Sequence, residues 1–187
     1  GDDWREMSST TCVILDLDDT LICSSWIACN IQLHALAPEK QCQLARQEES
    51  AISLVRSIRG TGGTPTVISN ANQGWIRYLM TFFPRLSSFF QRIDVSIFSA
   101  RDHFEQHTPH SWEWKMRAFE DVIRKKKNVI KIVSIGDGLD ERKATLDIAH
   151  RFRIPVSSIK FVSQPSLQTI ISQQRACINI LPHVITS

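Results

Sequence analysis

At 187 residues the chain is long enough for one domain with a full core and too short for two comfortable ones. Its 42% apolar and 22% charged residues are those of an ordinary soluble globular protein, and a net charge of +3 on scattered basic residues gives no reason to expect nucleic acid. No stretch approaches the uncharged apolar length needed to span a bilayer.

In chain order, residues 1–10 are polar and read as a loosely held lead-in. TCVILDL (11–17) is a nearly continuous apolar run of strand length, the pattern of a strand covered on both faces. Residues 20–43 are mixed, with Pro38 as a break, and predict a flap or small insert. Leu44, Ala51, Leu54, Val55 and Ile58 then recur at helical spacing over 44–59. GTGG (60–63) ends that helix and PTVIS (65–69) is a second buried strand. Residues 70–83 predict a helix stopped by Pro84, a short apolar segment follows, and 93–100 reads as the third strand. A helix over 111–127, a fourth strand over 129–135 and a helix over 140–152 come next. A shorter fifth strand over 158–163 and a last helix over 166–176 complete the pattern. RKKK (124–127) falls at a helix C-terminus, where cations meet the helix dipole favourably.

Strands alternating with helices imply an α/β fold: a three-layer, open parallel sheet of about five strands with right-handed crossovers. We expect a single domain over 1–187, with 44–187 completing the core begun by the first strand. Cys12, Cys23, Cys29, Cys42 and Cys177 form no CxxC pair, and an odd count with Cys12 in a core strand fits free thiols in a reducing compartment. No secretory signal opens the chain, so an intracellular, cytoplasmic setting is expected; residue 1 is Gly, which leaves a preceding targeting segment open.

VILDLDDTLI (13–22) puts three carboxylates within four positions at the end of a buried strand. Each raises the cost of ionising its neighbours, so something must compensate them. Residues i and i+2 of an extended chain face the same way, so Asp16 and Asp18 address one spot above the sheet, while Asp19 points away and suits a turn or surface role. The second strand ends in Ser69, and the fourth in GDGLDE (136–141), with Asp137 at its tip and Glu141 in the first turn of the next helix. Lys115 lies within reach from the helix before the fourth strand. Open α/β folds bind their ligands at these strand ends. Acids, one lysine and one hydroxyl converging there suit Mg²⁺ and a phosphoryl group, because this cation takes oxygen ligands from one or two carboxylates, water and substrate phosphate. A dication would let Asp16, Asp18 and Asp137 tolerate one another, with Lys115 offsetting more charge.

In these motifs the chain resembles the haloacid dehalogenase (HAD) superfamily, of the type without a large cap. DLDDTLI matches that family's first motif, DxDx[TV], and VIS ending in Ser69 matches the second. Lys115 matches the third and GDGLDE the fourth, GDxxx[DE], in order across the whole domain. SNANQGW, SARDHFE, WKMRAF and SIGDGLDERKA further resemble a poorly characterised HAD-like subgroup. The resemblance implies that Asp16 is a nucleophile forming an aspartyl-phosphate, and that Asp18 protonates the leaving oxygen and then activates water. It implies Ser69, Asn70 and Lys115 as phosphate-binding residues. It implies Asp16, Asp18 through its backbone carbonyl, Asp137 and Glu141 as the Mg²⁺ set, Glu141 through a bound water and with Asp140 as the alternative second acid. Dehalogenases of the superfamily lack the acid at the Asp18 position, so its presence implies phosphoryl transfer to water.

His103, His107 and His110 form an H-x3-H-x2-H pattern after the third strand that matches no zinc motif, and their functional reading is substrate contact. Trp75, Trp112 and Trp114 lie in helical contexts and read as packing residues, whereas Trp26, following the first motif, could overhang the pocket. The 53 positions from Asp16 to Ser69 include a crossover helix, so 20–43 has room for a hairpin or short helix but no cap domain, and 101–110 has none either.

An open site admits bulky substrates, so the expected activity is Mg²⁺-dependent phosphomonoester hydrolysis on a phosphoprotein or another macromolecule. The alternatives are a small phosphometabolite phosphatase whose site an oligomer partner closes, and a catalytically weak module that binds phosphorylated partners. Neither nucleic acid nor a membrane span is expected, and an oligomer is compatible with all three readings. A dinucleotide-binding oxidoreductase is excluded, because carboxylates in place of GxGxxG follow the first strand and would repel a pyrophosphate.

Overall fold

The computed structural model describes residues 9–30 and 37–186. Most of the expected lead-in (1–8) and the middle of the expected insert (31–36) lie outside the described residues. Five strands form one parallel sheet: β1 Thr10–Asp16, β2 Gly63–Ser69, β3 Ile97–Ser99, β4 Val129–Gly136 and β5 Val156–Lys160, ordered β3-β2-β1-β4-β5. β1 is central and covered on both faces, which is why its apolar run does not alternate with polar residues. Val13 and Leu15 belong to one apolar cluster and Cys12 and Ile14 to another, as the period of two along a strand requires.

The helices are α1 Ser24–Asn30, α2 Pro38–Gly60, α3 Gln73–Met80, α4 Pro84–Arg92, α5 Ala100–Phe104, α6 Ser111–Lys125, α7 Leu139–Phe152 and α8 Leu167–Ile185. Ile58 of α2, Leu79 of α3, Leu86 of α4 and Leu181 of α8 pack into the Val13–Leu15 cluster. Ala118 and Phe119 of α6 and Ala144 and Ile148 of α7 pack into the other. The result is the expected three-layer α/β sandwich. No helix among the described residues is long and apolar enough to cross a membrane.

Several boundaries differ from the sequence pattern. Pro38 does not break the chain but opens α2, at a position whose missing N–H costs no hydrogen bond. Pro84 does the same for α4, so the short apolar segment after it is a helix burying Leu86, Phe89 and Phe90. β3 keeps only three of the eight residues expected, because the chain before it closes α4 and turns at Asp94, whose φ is +53°. β5 starts two residues earlier than expected and stops at Lys160, and α8 runs through Pro182 to Ile185.

What matters for function is the register. Asp16 pairs with Ile68 on β2, and Leu15 with Ile135 on β4. The C-terminal tips of the three central strands therefore open side by side, at the end where α2, α6 and α7 begin. Among the described residues no cap domain is inserted there. Among the described residues, the seven-residue α1 is the only helix between β1 and α2, and the five-residue α5 the only one between β3 and α6.

Candidate functional site

β1 delivers Asp16 to this edge and the chain then winds tightly. The Leu17 carbonyl accepts from the N–H groups of Leu21 and Ile22, both at 3.1 Å, and Asp19 takes a φ of +54°. Two glutamines with no exposed surface grip the turn from two neighbouring helices. Gln47 of α2 donates to the Leu21 carbonyl at 2.9 Å, and Gln174 of α8 donates to Leu21 and Thr20 carbonyls at 3.0 Å each. Asp19 accepts from the Ser25 N–H at 2.9 Å and from the Ser24 and Ser25 hydroxyls, so it anchors the start of α1. It has the turn role expected of it, buried rather than on the surface.

Lys115 of α6, 1% exposed, is the centre of the cluster. Its ammonium donates to Asp16 at 2.6 Å, to Glu141 over a very short contact, and to the Ile68 carbonyl at 3.2 Å. Carboxylate oxygens of Asp16, Asp137 and Glu141 lie within 4.8 Å of one another. Asp18 stands beside them, its Oδ2 accepting from the Ser69 hydroxyl at 2.8 Å, and the same hydroxyl accepts from the Ala71 N–H at 3.0 Å. Asp137 is held by its own carbonyl, which accepts from Lys160 at 2.7 Å and Ser163 at 2.9 Å.

Glu141 reaches this position for two reasons. It sits in the first turn of α7, where its Oε2 accepts from the Gly138 N–H at 3.0 Å. The strand-to-helix corner also leaves it room: a Cβ on Gly136 would stand 2.6 Å from Glu141 Cγ, and one on Gly138 2.8 Å from Oε2. Asp140 faces elsewhere. Its Oδ2 accepts from Asn70 Nδ2 and the Ser111 hydroxyl, both at 3.3 Å, tying the loop after β2 to the start of α6. Asn70 also donates to the Ser111 carbonyl at 3.1 Å, while its Oδ1 is buried without a partner.

The charges do not cancel. Burial pushes the Asp16 carboxyl well above the usual range, and Glu141 and Asp18 add to the rise, against Lys115. Burial also raises Asp137; a hydrogen bond with Asp16 opposes this, and the charges of Glu141 and Asp19 add to it. Burial alone would lower Lys115 and raise Glu141, but Asp16 and Glu141 together outweigh it at Lys115, and Lys115 with the backbone N–H groups of Glu141 and Gly138 outweighs it at Glu141. Lys115 therefore holds its proton more firmly and Glu141 loses its own more readily than usual. Three carboxylates against one ammonium leave two formal negative charges in a largely buried site. Hard oxygen donors with that residual charge fit a small divalent cation, with Asp16, Asp137 and Glu141 placed to hold it.

The structure thus brings Asp16, Asp18, Ser69, Lys115, Asp137 and Glu141 to one edge and sets Asn70 and Asp140 at its rim. Of the histidines, His103 bonds the Ser99 carbonyl at 2.8 Å and stacks on Phe98 at 4.1 Å, and His110, next to Ser111, stacks on Trp112. Trp26, Trp75 and Trp114 pack against the core, whereas Trp112 is half exposed, with the Lys143 ammonium 6.0 Å from its ring centre. Gln47, Gln174, Lys160 and the space at Gly136 were not anticipated. Only the glycine left a trace, as the first residue of GDG.

No protein-family model matches the chain, and no curated protein matches it. A solved structure does: the crystal structure of a HAD family hydrolase from Deinococcus radiodurans R1 with bound phosphate and sodium. It superimposes with a TM-score of 0.50 at 12% identity, covering 95% of this chain and 99% of that one. At that identity the likeness speaks for the fold. The five-stranded parallel sheet flanked by helices is HAD-like, as the motifs led us to expect.

Proposed function

We propose that the chain is a Mg²⁺-dependent phosphomonoester hydrolase that works through an aspartyl-phosphate at Asp16. The observation that carries this reading is the fully buried Lys115, bound to Asp16 and Glu141 while three carboxylates crowd within metal-ligating distance. Such an arrangement is expensive as mere structure. It is economical where a cation and a phosphoryl group are to be received. The solved relative in fold carries bound phosphate and sodium, which agrees with this reading.

In the proposed reaction an Asp16 oxygen attacks phosphorus and the bond to the leaving oxygen breaks, with Asp18 giving that oxygen its proton. Asp18, now a carboxylate, takes a proton from water as the water oxygen attacks phosphorus. The phosphorus–Asp16 bond then breaks, inorganic phosphate leaves and both acids return to their starting states. The Ser69 hydroxyl, which donates its one proton to Asp18 at 2.8 Å in the free site, would turn that proton to a phosphoryl oxygen when substrate arrives, with Lys115 as the second proposed donor. Mg²⁺ held by Asp16, Asp18, Asp137 and Glu141 would supply charge neutralisation and polarise the phosphoryl group. Asn70 belongs to the phosphate set only through its position beside Ser69, since its amide is engaged with Ser111 and Asp140. The uncapped edge favours a phosphoprotein or another bulky substrate over a small metabolite.

Hydrolysis of p-nitrophenyl phosphate with Mg²⁺, compared between the wild type and Asp16→Asn, tests the chemistry. Turnover should fall by at least about 10³-fold in the variant, and equal rates would end the reading. Phosphopeptides set against phosphosugars and nucleotides test the substrate class, and preference for the small molecules would overturn that part alone.

A further inference from the structure

Five arginines that are scattered in sequence line one helical face of the fold. Two grooves flank α2 on its outer surface. One, about 350 Å³ between α2 and α8, is lined by Arg46 and Arg175; the other, about 440 Å³ between α2 and α4, is lined by Arg56, Arg85 and Arg92. Both are lined by arginine and no lysine, and Glu49, on the ridge between them, is the one carboxylate lining either. Arg85 is engaged with Glu48, Glu49 and the Ala45 carbonyl, and Arg56 stands 3.9 Å from Glu49. Arg46, Arg92 and Arg175 have no carboxylate partner among the described residues. The guanidinium carbons of Arg56 and Arg92 lie 5.3 and 5.9 Å from the centre of the Phe89 ring, which restrains them while a stacked guanidinium keeps its in-plane donors free. In the wall of the first groove the Ser50 hydroxyl is buried without a hydrogen-bond partner. The opposite helical layer differs: Arg124 and Arg151 there are tied to Glu120 and Asp147.

We propose that the outer face formed by α8, α2 and α4 docks an acidic segment of a protein partner. Guanidinium forks match carboxylates in pairs. Two grooves on either side of one helix, with Ile171 in one and Ile52 in the other, receive side chains from a peptide laid across the ridge. A lipid surface would meet the ridge and miss the groove floors. A single strand would gain from a ring to stack on, and Phe89, the ring beside these arginines, is 5% exposed. The docking surface stands independently of the chemistry at Asp16.

Fluorescence anisotropy with a labelled polyglutamate peptide tests it. The wild type should bind at low salt and weaken as salt rises. Arg46→Gln/Arg175→Gln and Arg56→Gln/Arg92→Gln should each weaken binding about tenfold without moving the melting temperature, while Lys125→Gln/Lys126→Gln on the opposite layer stays within about twofold of wild type. Absence of peptide binding at low salt would overturn the proposal. So would equal losses in the lysine control, or a preference of this face for phosphatidylserine vesicles or single-stranded oligonucleotide over the peptide.

Discussion

Two buried carboxylate sites in this molecule have opposite characters. Glu48 of α2 is 4% exposed, and its oxygens are matched: Oε1 accepts from the Leu86 N–H at 2.9 Å at the start of α4, and Oε2 from Arg85 at 3.1 Å. Asp16, 6% exposed, shares a single ammonium with Glu141 while Asp137 and Asp18 add charge nearby. The first site is complete as it stands. The second carries an excess of negative charge that a cation would balance, and that unbalanced count is what separates it from a site that only holds two helices together. Each prediction below either widens or erases that difference.

The largest effect is expected from Lys115→Met. It removes the only cation among three carboxylates, and losing one partner of a buried pair costs about 3–5 kcal/mol, a drop in melting temperature on the order of 10 °C for a chain of this size. Saturating Mg²⁺ should recover part of the loss, since the cation addresses the same charges. A melting temperature unmoved by the substitution would mean that the cluster is not strained by its charge, and the comparison with Glu48 would collapse.

Next is the dependence of Mg²⁺ stabilisation on pH. Burial raises the Asp16 and Asp137 carboxyls in the folded, metal-free chain. Through the window above the unfolded value of about 4, the native state therefore holds protons that the unfolded chain has lost, and stability falls as pH rises. Mg²⁺ displaces those protons, so its stabilisation should grow with pH toward neutrality and be small near pH 4. At about 100 times its dissociation constant the gain is about 2.7 kcal/mol, readable as a shift in melting temperature. A gain that is the same at both ends of that range would remove the carboxylates from the Mg²⁺ site.

What the sequence disclosed follows from where each signal is stored. β1 was legible because a doubly covered strand writes an unbroken apolar run, and its tip because no buried strand ends in acids without cause. α4 was not, since its Pro84 start looked like a stop and its nine residues are too few to establish a period. The last turns of α8, beyond residue 176 and through Pro182, were not read from the sequence either. Within the site, Asp140 and Glu141 both fall in the first turn of α7; the motif's spacing favoured Glu141 and kept Asp140 as the alternative. The choice is steric, made by the missing Cβ atoms of Gly136 and Gly138. Gln47 and Gln174 were beyond reach: they meet Leu21 from 26 and 153 positions away, and no local pattern records such a contact.

The smallest effect sharpens the comparison from its other side. Glu48→Gln keeps an oxygen able to accept from the Leu86 N–H, so the start of α4 stays closed, but it gives up the ion pair with Arg85. Arg85 is half exposed, so solvent screens that pair and about 1 kcal/mol is the scale of the loss, or about 2–4 °C in melting temperature. Aryl phosphate turnover and Mg²⁺ affinity should stay at wild-type values, because Glu48 belongs to the junction of α2 and α4 and contacts none of the residues around Lys115. A fall in turnover larger than the fall in stability would show that the balanced site also reports to the unbalanced one. The helix carrying Glu48 also carries Gln47, one residue away and in contact with the turn after Asp16, so that is the route by which such a coupling would have to run.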